Sequence, residues 1–224
     1  MSVEDNDNIY VLEEERESED SPRNFAAYSN EEGKEEEKEG QDKNAFSFLF
    51  KIMFNPVEGW KILRRSKVSV ESLQSGCFYP LLALLAISKF AEFFYSVNVN
   101  LTQIVTKAVV AFVSFFFGYF CVRMVLTWIL PKEMARQFEE RFGKEYILIA
   151  LSTLALFSIL TDILPMIWPI LIFLPIWTLY LMFKGIRFFH FPESQEMKFF
   201  VISGASVIGV PLLIEWLLEN ILPY

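Results

Sequence analysis

One histidine, two cysteines and nine glycines are all that 224 residues contain of three functionally loaded residue types. Cys77 and Cys121 have no second sulfur or histidine at ligand spacing, and His190 stands alone, so the sequence offers no metal set. Both cysteines fall near the same end of their apolar stretches, on what the charge pattern makes the reducing side, and no disulfide is expected. Gly-rich phosphate loops and H-E-x-x-H pairs are missing. The nearest approach to a nucleophile elbow, Gly204-Ala205-Ser206-Val207-Ile208, has isoleucine where a second glycine belongs and no strand before it. No residue is nominated as catalytic, cofactor-binding or metal-ligating, and no enzymatic activity is expected. The acidic soluble part likewise argues against nucleic acid as a partner.

What is present is apolar surface: the chain is 53% hydrophobic and 17% aromatic, with 24 phenylalanines. That exceeds what an ordinary soluble domain holds. The net charge of −8 conceals a split. Residues 1–44 carry 16 Asp/Glu against 5 Lys/Arg, whereas residues 45–224 carry 12 against 15. Runs such as Glu13-Glu14-Glu15 and Glu35-Glu36-Glu37 cannot bury enough apolar surface to offset the entropy of ordering, so residues 1–44 read as a disordered acidic tail. Ile9-Tyr10-Val11-Leu12 is its one apolar patch and a candidate linear motif for a protein partner. The tail lacks a signal-peptide pattern, which leaves insertion to the first spanning helix.

Beyond residue 74 the expected architecture is all-α and polytopic, with five transmembrane helices. Ile163–Phe183 is free of charge over 21 residues, enough at ~1.5 Å per residue to cross a hydrocarbon core of roughly 30 Å. The other uncharged runs are shorter, but Lys89, Lys107 and Arg123 have stems long enough to snorkel, extending each span past its formal end. The spans are read at about 74–95, 104–129, 146–163, 165–184 and 199–217, making 74–222 one membrane domain. Twelve Lys/Arg flank one side: Lys51, Lys61, Arg64, Arg65 and Lys67 before the first span, Lys132, Arg136, Arg141 and Lys144 in the second connection, and Lys184, Arg187 and Lys198 in the fourth. The first and third connections and the C-terminal end have none. By the positive-inside bias the N-terminus faces the cytoplasm and the C-terminus the outside. The short connection around Thr161–Pro165 makes spans three and four an antiparallel hairpin.

Two further segments read as surface helices. Within 45–73, Phe46, Phe48, Phe50 and Phe54 lie beside Lys51, and Asn55-Pro56 is suited to start a helix whose apolar side carries Val57, Trp60, Ile62 and Leu63. Lys61, Arg64 and Arg65 supply the polar side. This amphipathic juxtamembrane segment suits either the anionic cytoplasmic leaflet, with membrane lipid as partner, or a cytosolic cap packed on the bundle. In Lys132–Phe142, Met134, Phe138 and Phe142 recur every fourth residue, Gly143 is placed to end the helix, and Arg136–Glu140 forms an i,i+4 pair.

Lys89, Glu92, Lys107, Asp162 and Glu215 are placed towards the outer ends of their spans, as interfacial anchors or a polar vestibule in which Asp162 pairs with Lys89 or Lys107. Pro175, mid-span, and Pro211 permit kinks. Ala205–Gly209 spacing permits close approach of another span or of another copy of the chain in a homo-oligomer. Asn100-Leu101-Thr102 is a glycosylation sequon on the expected outer side.

Phe54-Asn55-Pro56 followed by Trp60, five spans after a soluble N-terminus, and the Trp177-Thr178-Leu179-Tyr180-Leu181-Met182-Phe183-Lys184-Gly185-Ile186 stretch before His190 together resemble the Yip family, named for interaction with Ypt/Rab GTPases, in its bacterial form. The likeness covers about residues 46–222. It implies a five-helix membrane bundle without known catalysis. Eukaryotic members are linked to vesicle traffic, a role not carried over to this chain. The functional expectation is a non-enzymatic scaffold or adaptor, multi-pass in a bacterial inner membrane, offering its acidic tail or surface helices to a protein partner. The alternative is a small-solute channel or transporter, for which Pro175, Pro211 and the outer charges speak; the lack of an internal repeat speaks against it.

Overall fold

The computed structural model describes residues 45–66, 68–96, 100–165, 173–189 and 191–222. The described residues all fall within one unit, Lys43–Tyr224. The acidic tail with its Ile9–Leu12 patch and His190 lie outside them. Every regular element among the described residues is helical, in the order α1 (Ala45–Phe54), α2 (Pro56–Arg65), α3 (Val70–Phe94), α4 (Leu101–Ile129), α5 (Lys132–Glu139), α6 (Arg141–Ile163), α7 (Leu174–Ile186) and α8 (Glu193–Ile221).

Four of these, α3, α4, α6 and α8, are long and apolar enough to cross a membrane. They carry the first, second, third and fifth expected spans. The fourth expected span runs through 166–172, outside the described residues, and its described part is α7. At 13 residues α7 alone rises only about 20 Å.

Local chemistry explains where the helices begin. Ser69 caps α3, its hydroxyl accepting from the Ser72 N–H at 3.1 Å. Asn100 caps α4 by accepting from the Thr102 N–H at 3.1 Å, so the sequon asparagine is occupied as a helix cap and α4 starts three residues before the expected 104. Pro80 interrupts α3: without an N–H it cannot bond the Gly76 carbonyl four residues back. The helix answers with a π-turn at Gln74–Phe78 just before it. Gly76 in that turn is where Ala45 of α1 rests, 3.0 Å from the position a Cβ would take.

Two boundaries differ from the sequence reading. The surface helix α5 buries Met134 and Phe138 as expected but stops at Glu139, because Glu140 is extended (ψ 163°). Gly143 therefore does not end a helix; it lies in the first turn of α6, where a Cβ would stand 1.9 Å from the Phe138 carbonyl oxygen. The break also removes Glu140 from helical register with Arg136, and their i,i+4 pair is not among the described ion pairs; Arg141 and Glu145, one helix later, make it instead. Pro175 likewise is not in mid-helix. It occupies the first turn of α7, where a missing N–H costs nothing.

α6 is the central helix, buried on most of its circumference and touching α3, α4, α5, α7 and α8. Between α4 and α8 the close contact is Gly118 against Pro211, whose ring lies 3.2 Å from where a Gly118 Cβ would be. Pro211 is thus a packing feature of that helix pair. In α8 the close approach to α7 is made by Gly204, where a Cβ would meet Leu179 at 2.8 Å. Ala205 and Gly209 face outwards, and nothing lies within 4 Å of a Gly209 Cβ. The small-residue spacing read from the sequence therefore does not mark the contact among the described residues.

Candidate functional site

The polar chemistry of the described residues gathers at the two ends of the bundle. At one end stand the residues near the ends of α3, α6 and α8 and the start of α4. Asp162 accepts from Lys89 Nζ at 3.0 Å and from the Ser88 hydroxyl at 2.7 Å, which joins α3 to α6. Lys107 Nζ donates to both Glu92 carboxylate oxygens at 2.8 Å, which joins α4 to α3. Glu215 of α8, half-buried, lies within electrostatic reach of Lys89 and Asp162. Of the two pairings open to Asp162 in the sequence, Lys89 is the one formed.

The two bridges differ in exposure. Lys89 and Asp162 are 16% and 20% exposed, against 35% and 33% for Lys107 and Glu92. Solvent screening weakens the second pair more. Asp162→Ala, which strands a largely buried ammonium while the Ser88 hydroxyl keeps the Leu85 carbonyl at 2.8 Å, is expected to cost about 1–3 kcal/mol. Glu92→Ala is expected to cost no more than about 1 kcal/mol. Thermal unfolding of both variants in one detergent checks the order; equal losses would contradict it.

At the other end the three basic segments converge. Trp60 of α2 is fully buried and donates its indole Nε1–H to the Leu181 carbonyl of α7 at 3.0 Å. Its ring packs on Tyr146 (5.5 Å between centroids) and edge-on to Phe142 (5.9 Å). Gly185, one turn after Leu181, makes room: a Cβ there would lie 2.8 Å from Trp60 Cε2 and 3.0 Å from Tyr146 Cε2. Tyr146 in turn donates its hydroxyl to the Met182 carbonyl at 3.2 Å. Phe189, Phe191 and Phe199 continue the aromatic cluster, and Phe138 of α5 closes on Phe199 at 6.2 Å.

Charged groups stitch the rim of this cap. Arg64 donates to the Phe188 carbonyl, and its guanidinium lies 5.7 Å over the Phe142 ring. Arg141 bridges the Glu145 carboxylate and the Ser66 carbonyl at the end of α2. Glu145 is only 1% exposed, so its charge depends on that guanidinium. The α1–α2 segment is a cap docked on the bundle through Phe48, Leu49, Ile52, Trp60 and Leu63, while Phe50, Val57 and Phe54 (79% exposed) remain outside. Asn55 begins α2 as expected, but its side chain donates to Glu58 at 3.4 Å rather than capping the backbone.

Among the residues raised by the sequence, the structure unites Lys89 with Asp162, Glu92 with Lys107, and Trp60 with Leu181 and Gly185. It places Ser206 with its hydroxyl on the Ile202 carbonyl of its own helix, at 2.7 Å. Sequence reasoning missed Glu145, Arg141 as its partner, and the part Gly185 plays in seating Trp60. An acid four residues after an arginine at the start of an apolar run was the available signal for the first two. No group of three or more His, Cys, Asp or Glu able to hold a metal exists among the described residues.

A family model described as the Yip1 domain matches residues 50–217. No curated protein and no solved structure matches the chain. The matched range takes in both halves of the Trp60–Leu181–Gly185 contact and both ion pairs, and leaves the acidic tail outside.

Proposed function

Because the chain belongs to the Yip1 domain family of multi-pass membrane proteins, we propose that it acts as a non-enzymatic scaffold or adaptor with five spans, whose cytoplasmic face is the working surface. One observation carries this reading. Among the described residues, no charged side chain is buried between the ion-pair layer and the aromatic cap, where the buried polar groups are hydroxyls such as Ser114, Ser152, Thr153 and Thr178. An ion or polar solute crossing the bundle would meet apolar walls, and a charge there is expensive. The cap supports the same reading from the other side, since a rigidly docked surface with exposed Phe54 and Val57 among Lys51, Lys61 and Arg65 suits binding. By the bias of its basic segments this face is cytoplasmic, and the resemblance to the bacterial form of the family supports an inner membrane as the setting.

The test is to crosslink mildly in native membranes and purify the full chain and a form lacking residues 1–44. A near-stoichiometric partner held by both forms assigns the adaptor surface to the cap. One held by the full chain alone assigns it to the acidic tail. No partner in either, with solute flux in proteoliposomes that Asp162→Asn abolishes, would replace the scaffold by the transporter reading.

A further inference from the structure

Between Lys107 and Lys132 the sequence holds a single charged residue, Arg123. It belongs to α4, six residues before the helix ends at Ile129, a distance of about 9 Å along the axis. Phe120, Met124, Thr127 and Trp128 share its face of the helix by their three- and four-residue spacing. The five side chains line an open concavity of about 360 Å³ on the outside of the bundle, and Trp128 is 89% exposed there. The Arg123 stem is long enough to reach water, yet the guanidinium lies 5.6 Å over the ring of Tyr119, one turn earlier in α4. Lys107, the next cation along the helix, is bonded to Glu92, whereas Arg123 makes no ion pair with any described carboxylate.

A cation on a lipid-facing surface is costly until an anion meets it. A second copy of the chain does not supply one: a symmetric contact through this face would set Arg123 against Arg123, and residues 108–131 contain no acid. A phospholipid does supply one, because it carries its phosphate next to acyl chains that match Phe120 and Met124. Trp128, near the helix end, marks the headgroup level. We propose that this face of α4 binds an anionic phospholipid from the leaflet at the basic end of the bundle, with its phosphodiester on the Arg123 guanidinium and an acyl chain along Phe120 and Met124. The guanidinium fork matches two phosphate oxygens, and the hydrogen bonds are charge-assisted. A zwitterionic headgroup offsets its own phosphate with a cation, so a lipid of net negative charge is favoured.

The full-length protein in detergent would be titrated with dioleoyl phosphatidylglycerol and with dioleoyl phosphatidylcholine, and the lipid-bound fraction read by native mass spectrometry. The glycerol lipid is expected to bind about fivefold tighter, the effect of one basic residue on an anionic headgroup. Arg123→Gln should erase that preference. It removes a charge from an apolar helix, so the fold should persist, which helical circular dichroism checks. Lys132→Gln is the control: Lys132 is exposed at the start of α5, at the same end of the bundle, and its loss should leave the preference unchanged. Equal binding of the two lipids by the native chain, or an unchanged preference in Arg123→Gln, would overturn the proposal. Equal losses in Arg123→Gln and Lys132→Gln would also overturn it, by making the attraction a diffuse one. So would a dimer in the same spectra that Arg123→Gln dissociates, which would give the face to another copy of the chain.

Discussion

Trp60→Ala is expected to lower stability by about 3–5 kcal/mol, the usual cost of truncating a large buried aromatic. The indole is fully buried, donates to Leu181 and contacts Phe142 and Tyr146, so its loss leaves a cavity and breaks aromatic contacts worth about 0.5–1.5 kcal/mol each. Gly185 supplies the internal control. In the native background Gly185→Ala drives a Cβ to 2.8 Å from the Trp60 ring, which Leu181 and Tyr146 hold in place. With Trp60→Ala already present, the two contacts to the indole are gone and only Tyr146 Cε2 at 3.0 Å remains, so the clash is smaller and is offset in part by the ~1 kcal/mol that alanine gains over glycine in a helix. The two changes should therefore couple, the double variant being more stable than the sum predicts by about 1–3 kcal/mol. A double-mutant cycle read by thermal or denaturant unfolding checks this. Strict additivity would mean the cap does not dock on α7 in this way.

Gly59→Ala should also be severe, with a different cause. A Cβ at Gly59 would stand 2.6 Å from both Ile52 Cα and Ile52 N, and 2.7 Å from Ile52 Cγ1. The first two are backbone atoms and cannot rotate away. Overpacking of this kind costs about 1–3 kcal/mol or more, which outweighs the ~1 kcal/mol gained by replacing a helical glycine. The response should be local: α1 and α2 separate while the long helices persist. Limited proteolysis should then cut within 45–66 at rates well above native, with helical circular dichroism nearly unchanged. Native-like resistance would refute the close α1–α2 crossing.

Trp60 illustrates how a residue can be legible as important without its partner being legible. It was readable beside Phe54-Asn55-Pro56, and the Trp177–Ile186 stretch was readable as a second motif. Nothing in spacing says that the indole of one bonds a carbonyl of the other, 121 residues away. The ion pairs were half legible. Five charges near span ends could be collected from the sequence, but choosing Lys89 over Lys107 for Asp162 needed the packing of α3 on α6. The error at Gly143 has the same source. Met134, Phe138 and Phe142 keep a four-residue period across the break, because Phe142 enters the same aromatic cluster from the next helix.

The sequence by itself determined the class, the approximate positions of the four long apolar helices and the convergence of basic segments on one end. Those follow from local quantities, hydropathy over a window and charge between windows, which a hydrocarbon layer reads residue by residue. Only the tertiary structure decided which helix faces meet: Gly204 rather than Ala205 and Gly209 towards α7, Gly118 against Pro211, and Trp60 over Gly185. A soluble helix advertises its buried face by amphipathicity. Lipid is as apolar as leucine, so a spanning helix is apolar on every side and its pattern does not tell a neighbour from the bilayer.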